Sequence, residues 1–206
     1  MNLNPATTAV IAVHLQPDIV SADGAFGEFF AAEAAARDIV GVTNSLLRDV
    51  RAAGATVVFT RVAFAAGYTN LFVNSALLGM VAQTHCLLED SPSSQILPDI
   101  AVEDSDVVVV HQRAGGFSNS VLELVLRSRG IDTLVFIGVA TNMSVEGTAR
   151  QASDLGYRTI VVADACSAAD ETAHTSSLAS LGLLAEIVTV DDVREALNVP
   201  AAVRAE

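Results

Sequence analysis

GVATNMSVEGTA, residues 138–149, runs from the end of a β-branched apolar segment through a turn of small residues straight into a helical segment, with Ser144 near the start of that helix. A strand feeding directly into a helix is half of a parallel β-α-β unit. An attacking oxygen at Ser144 would stand at the positive end of the helix dipole, where free backbone N–H groups can stabilise an oxyanion. The plainer reading is that Thr141, Asn142 or Ser144 caps the helix, a role these residue types commonly fill. Spacing alone leaves both readings open.

Outward from this stretch the same alternation repeats. Runs rich in Val, Ile and Thr occupy residues 8–15, 56–62, 106–111, 132–138, 158–163 and 186–190, and each reads as a strand buried on both faces. Helical spacing is found over 31–53, 71–82, 118–128, 144–155 and 171–181, with Gly54, Gly130, Gly156 and Gly182 at the expected helix ends. Right-handed crossovers then give a three-layer α/β/α sandwich around a mainly parallel six-stranded sheet, Rossmann-like, in one domain spanning 1–206. Residues 63–105 read as loops around a helix, in the manner of a lid, and 200–206 as a partly ordered end or an arm for a partner subunit.

Composition excludes several classes of function. A net charge of −13 disfavours nucleic acid and anionic membrane as partners, because phosphate binding needs clustered cations. All 11 basic residues are arginines; there is no lysine. No apolar run approaches the roughly 20 residues of a membrane span. The opening MNLNPATT lacks the basic start, apolar stretch and cleavage site of a secretory signal, and only Cys86 and Cys166 occur, so a cytoplasmic location is expected.

In open α/β sheets, ligands bind at the carboxyl ends of the strands, near the switch in strand order. The polar residues at those ends are His14, Gln16 and Asp18 after the first strand, Arg61 in the second, His111, Gln112 and Arg113 at the third, Thr141, Asn142 and Ser144 after the fourth, and Asp164 in the fifth. His14, His111 and Ser144 together can supply a nucleophile and a base, although a lone strand-end histidine is more often a structural residue. Arg61 and Arg113 are candidates to clamp a carboxylate, or else pair with the abundant acids. Phe26, Phe29, Phe64, Tyr68, Phe72 and Phe117 are candidate pocket walls or core residues.

Three segments, taken in order, resemble the isochorismatase-like (cysteine hydrolase) superfamily. TTAVIAVHLQPDIV (7–20) is similar to that family's opening strand with its D-x-Q-x-D-F motif. VVVVHQRAGGF (107–117) is similar to K-x-R-x-S-A-F, and GVATNMSVEGTARQASDLGYRTIVVADAC (138–166) to G-V-A-T-N-x-C-V-E-x-T-A followed by L-G-Y and V-x-D-A. The family's usual Asp, Lys and Cys triad falls here on His14, His111 and Ser144. The resemblance implies a cis peptide between Val139 and Ala140, with backbone N–H groups of Val139, Ala140, Thr141 and Ser144 forming an oxyanion hole. It implies no metal or other cofactor, since the stretch TRVAFAAGY (60–68) lacks the acid and histidines that some nicotinamidases use.

The expected function is hydrolysis of a small amide, ester or enol ether, with Ser144 as nucleophile, His14 or His111 as base, and Gln16, Arg61, Phe64, Arg113, Phe117 and Asn142 around the substrate. Serine needs such a base because its hydroxyl is a poor nucleophile at neutral pH. The alternative is a catalytically silent member that binds a small metabolite or a protein partner. Apolar segments such as SLASLGLLAEIV (177–188) lead to the expectation of a homo-oligomer, dimer or tetramer.

Overall fold

Six parallel strands, β1 (Thr8–Val13), β2 (Thr56–Val62), β3 (Val107–His111), β4 (Thr133–Val139), β5 (Arg158–Ser167) and β6 (Glu186–Val188), form one sheet in the order β3-β2-β1-β4-β5-β6. The structure, a computed structural model, describes residues 1–199, so the tail expected over 200–206 lies outside it. The helices are α1 (Pro17–Val20), α2 (Gly27–Ala36), α3 (Ile39–Ala52), α4 (Ala76–Thr84), α5 (Leu122–Ser128), α6 (Glu146–Asp154), α7 (Glu171–Leu181) and α8 (Val190–Ala196). None of them is long and apolar enough to cross a membrane.

Side chains alternate across a strand, and β1 divides its residues between two cores accordingly. Val10 and Ala12 join the cluster that includes Leu46, Leu47 and Val50 of α3 and Val193 of α8. Ala9, Ile11 and Val13 join the cluster holding Leu122 and Leu126 of α5, Ala149 and Ala152 of α6, and Leu181 of α7. Both faces of the sheet are thus covered, which is why the strands read as continuous apolar runs. Ile11 and Phe136 are fully buried, and burial of such a side chain contributes about 1.5–3 kcal/mol.

The helices depart from the sequence expectation where local capping intervenes. The segment 31–53 is two helices, not one, because Asp38 adopts a left-handed conformation (φ 48°) and its carboxylate accepts a hydrogen bond from Gly41 N at 3.3 Å. Aspartate tolerates that conformation and is a preferred N-cap, so the chain restarts there. The helix expected over 71–82 is confined to α4, and that over 118–128 begins only at Leu122. α8 had no counterpart in the sequence reading; Thr189 and Asp192 close a capping box at its start. Gly54, Gly130 and Gly156 take the left-handed conformation past their helices, whereas Gly182 ends α7 with φ −57°.

At the end of β4 the backbone becomes irregular. Phe136 stands opposite Val161 but Gly138 opposite Cys166, so β5 bulges between them. Gly138 has φ 113°, and a Cβ there would stand 2.2 Å from the Val13 carbonyl oxygen. Only glycine allows β4 to press this closely on β1. The next peptide, Val139–Ala140, is cis, as the resemblance implied.

Candidate active site

The strand order reverses between β1 and β4, and a cavity opens at the carboxyl ends of these two strands. Its space for water-sized atoms is about 50 Å³. Its polar wall consists of His14, Ser144, Gln112 and Arg113; its apolar wall includes Phe26, Phe30 and Met143. Leu77, Leu78 and Val81 of α4, with Leu87, close it from the 63–105 segment.

His14 follows β1 directly and is itself left-handed (φ 52°), while its N–H still bonds Thr60 O of β2 at 3.0 Å. His111 is the last residue of β3, with its carbonyl accepting from Ala63 N at 3.1 Å. The two rings meet across β2, Nε2 to Nε2, at 2.9 Å. Burial holds His14 well below the ordinary histidine range, and the neighbouring His111 lowers it further. Burial likewise brings His111 down to about 4, with the Arg113 backbone pulling it partly back up. Both imidazoles are therefore neutral at pH 7. His111 Nδ1 is buried and makes no hydrogen bond among the described residues.

Ser144 sits in a π-helical turn, Thr141–Val145, that joins β4 to α6 and is 6% exposed. Its carbonyl accepts from Thr148 Oγ1 at 2.6 Å. No hydrogen bond ties Ser144 Oγ to His14, to His111 or to the helix backbone. The turn is gripped instead through Thr141, whose Oγ1 lies 2.8 Å from His174 Nδ1 and whose carbonyl lies 3.1 Å from Ser177 Oγ. His174 is buried on α7 and escaped the sequence reading, although it and Ser177 stand three residues apart on the face that meets this turn.

Of the residues expected around a substrate, only Arg113 lines the cavity. Gln16 is fully buried with its amide committed to backbone: Nε2 to Val62 O and Ser94 O at 2.8 and 2.7 Å, and Oε1 accepting from Val62 N at 2.7 Å. Arg61 is turned to Ser94 O at 3.2 Å. Phe64 is core, Phe117 packs on Tyr157 with ring centroids 5.9 Å apart, and Asn142 is exposed. Strand-end position located these five near the site, but none of them lines this cavity. Among the other aromatic candidates Phe26 lines the cavity, and Phe29 and Phe72 are exposed.

Asp18 is buried and accepts from Leu87 N at 2.7 Å, which anchors the covering segment. Asp164 accepts from Val190 N at 2.9 Å and so caps α8. Burial raises the Cys86 thiol and pushes Cys166 up to about 12. Among the described residues, no three His, Cys, Asp or Glu side chains gather as a metal site requires.

Comparison with known proteins agrees with this fold. The isochorismatase domain family matches residues 8–192. The isochorismatase family protein YecD of Escherichia coli O157:H7 is 32% identical over 96% of this chain and 98% of its own length. Ureidoacrylate amidohydrolase RutB of Methylobacterium radiotolerans is 30% identical over 97% of this chain and 83% of its own. A cysteine hydrolase from Pseudomonas syringae pv. phaseolicola superimposes with a TM-score of 0.86 at 28% identity, covering 96% of this chain and 95% of that one.

Proposed function

Because this chain belongs to the isochorismatase family of hydrolases, we propose that it cleaves a small ester or amide with Ser144 as nucleophile and His14 as general base. The observation that carries the reading is that His14 and Ser144 line one cavity at the strand-order switch, with Ser144 in the turn that opens into α6. His14 takes the proton from Ser144 Oγ as Oγ bonds to the acyl carbon. The oxyanion then collapses, and the leaving oxygen or nitrogen receives that proton. Water, deprotonated by the same ring, repeats the sequence on the acyl-serine and frees the acid. The hydroxyl must turn toward the ring on substrate binding, a tightening common to catalytic hydrogen bonds.

The lowered proton affinity of His14 selects among the expected substrates. Enol-ether cleavage requires a proton donor, and a histidine held well below its ordinary range is a poor one at neutral pH. It also disfavours the imidazolium formed during acyl transfer, since no carboxylate bonds either ring. Esters, with the lower barrier, are therefore the preferred class over amides.

The missing contact between Ser144 Oγ and either imidazole favours one competitor, a silent binder. A fluorophosphonate probe separates the two. Under the hydrolase reading it forms an adduct mapped to Ser144, absent in Ser144→Ala and strongly reduced in His14→Ala; a folded protein that never reacts at Ser144 is a binder. We also propose self-association through a surface that includes the exposed Leu183 and Leu184. Light scattering should then give a mass above the 21.4 kDa of one chain.

A further inference from the structure

We propose that the ligand of this cavity is a monocarboxylate, and that Arg113 recognises its carboxylate. This rests on the reading of the cavity as a substrate site and adds the chemistry of the substrate. With both histidines neutral, Arg113 carries the only formal charge on the cavity wall among the described residues. Its Nη1 lies 3.2 Å from Phe72 O and 3.5 Å from Asn74 Oδ1, and neither Nε nor Nη2 makes a hydrogen bond among the described residues.

The absence of a counterion is informative in so acidic a chain. Arg37, Arg48, Arg51, Arg127, Arg150, Arg158 and Arg194 pair with carboxylates; among the described residues Arg61, Arg113 and Arg129 do not, though Asp and Glu total 24, and of these three Arg113 alone lines the cavity. Its planar fork suits two carboxylate oxygens. The net charge of −13 opposes an anion, but that field is screened within about 8 Å at physiological salt, whereas a direct pair at hydrogen-bond distance is screened less.

The rest of the wall is apolar, with Phe26, Phe30, Leu77 and Met143 on it. It takes an apolar chain and leaves the carboxylate at Arg113.

Binding can be measured in Ser144→Ala protein, so that the outcome does not depend on turnover. The probes are isobutyrate and its neutral isostere isobutyramide, titrated by calorimetry. The acid should bind at least tenfold tighter than the amide, and Arg113→Gln should erase that preference while Arg113→Lys retains part of it. Equal binding of acid and amide, a preference that survives Arg113→Gln, or no binding of either at millimolar concentration overturns the proposal. Labelling of Ser144 by the fluorophosphonate is unaffected by any of these results, so the catalytic reading stands or falls separately. A melting curve for each Arg113 variant shows that it is folded.

Discussion

His14 and His111 are hydrogen-bonded Nε2 to Nε2 at 2.9 Å although the strands that carry them are separated by β2. Two neutral rings can make that bond only if one presents N–H and the other a lone pair. A base at His14 facing the cavity needs its lone pair on Nδ1, which puts the proton on Nε2 and makes His111 the acceptor. His111 is then protonated on Nδ1, which is buried and makes no hydrogen bond among the described residues. Under the proposed chemistry His111 is thus a positioning residue that fixes the tautomer of His14.

Nitrogen-15 spectra of the histidine side chains test this directly. His14 is expected as the Nε2–H tautomer and His111 as the Nδ1–H tautomer at pH 7. His111→Gln, which can offer an acceptor in place of Nε2, should keep at least a tenth of the reaction rate at Ser144, and His111→Leu should lose about a hundredfold. The reverse pair of tautomers would remove His14 as the base.

Stability should depend on pH in a stated direction. The folded state holds His111 at about 4 and His14 well below its ordinary value, while the unfolded chain protonates both near 6.5. The unfolded state therefore binds more protons between these limits, and stability is full above pH 6.5 and lost as pH falls toward 4. Melting temperature should drop steadily across that window. His111→Leu should flatten the dependence, and a melting temperature constant from pH 7 to 4 would contradict the assigned burial of the pair.

Gly138→Ala should cost about 3 kcal/mol or more, because the left-handed backbone and the Val13 carbonyl both exclude a Cβ. Urea unfolding measures it. Gly147→Ala serves as the control in the same segment, since a Cβ there would meet nothing closer than 3.8 Å. A Gly138→Ala variant within 1 kcal/mol of the parent would show that β4 can retreat from β1, at the scale of ordinary surface changes.

Thiol reagents should leave function intact. Cys166 is buried with its proton held up to about 12, and the Cys86 thiol is raised and buried too, so neither supplies thiolate at pH 7. Iodoacetamide under native conditions should alkylate neither residue, as intact mass reports, and should not diminish probe labelling of Ser144. Alkylation of Cys86 with loss of labelling would place a thiol in the chemistry.

The sheet was readable from residues alone because strands buried on both faces must be continuous apolar runs, and 8–15 or 132–138 can hardly be anything else. Helix limits were less so. Asp38 and the Thr189–Asp192 box act through single capping contacts that leave no periodicity, although Thr-x-x-Asp is itself a start signal that the reading passed over. The site was half visible: strand ends located His14, His111, Arg113 and Ser144. The directions of Gln16 and Phe64 were not, since adjacent residues leave a strand on opposite faces and the chain bends at His14. The remaining wall comes from α4, whose approach is a long-range contact without local signature.

Thr148 lies between the two walls that matter. Its hydroxyl donates to Ser144 O at 2.6 Å and accepts from Gly116 N at 3.0 Å, and Gly115 is so close to α6 that a Cβ would stand 2.4 Å from Gln151 Oε1. The loop that bears Arg113 and the helix that follows Ser144 are therefore tied to each other through one hydroxyl. Under the proposed chemistry Thr148 is then a hinge pin: the cation and the nucleophile keep their spacing through it.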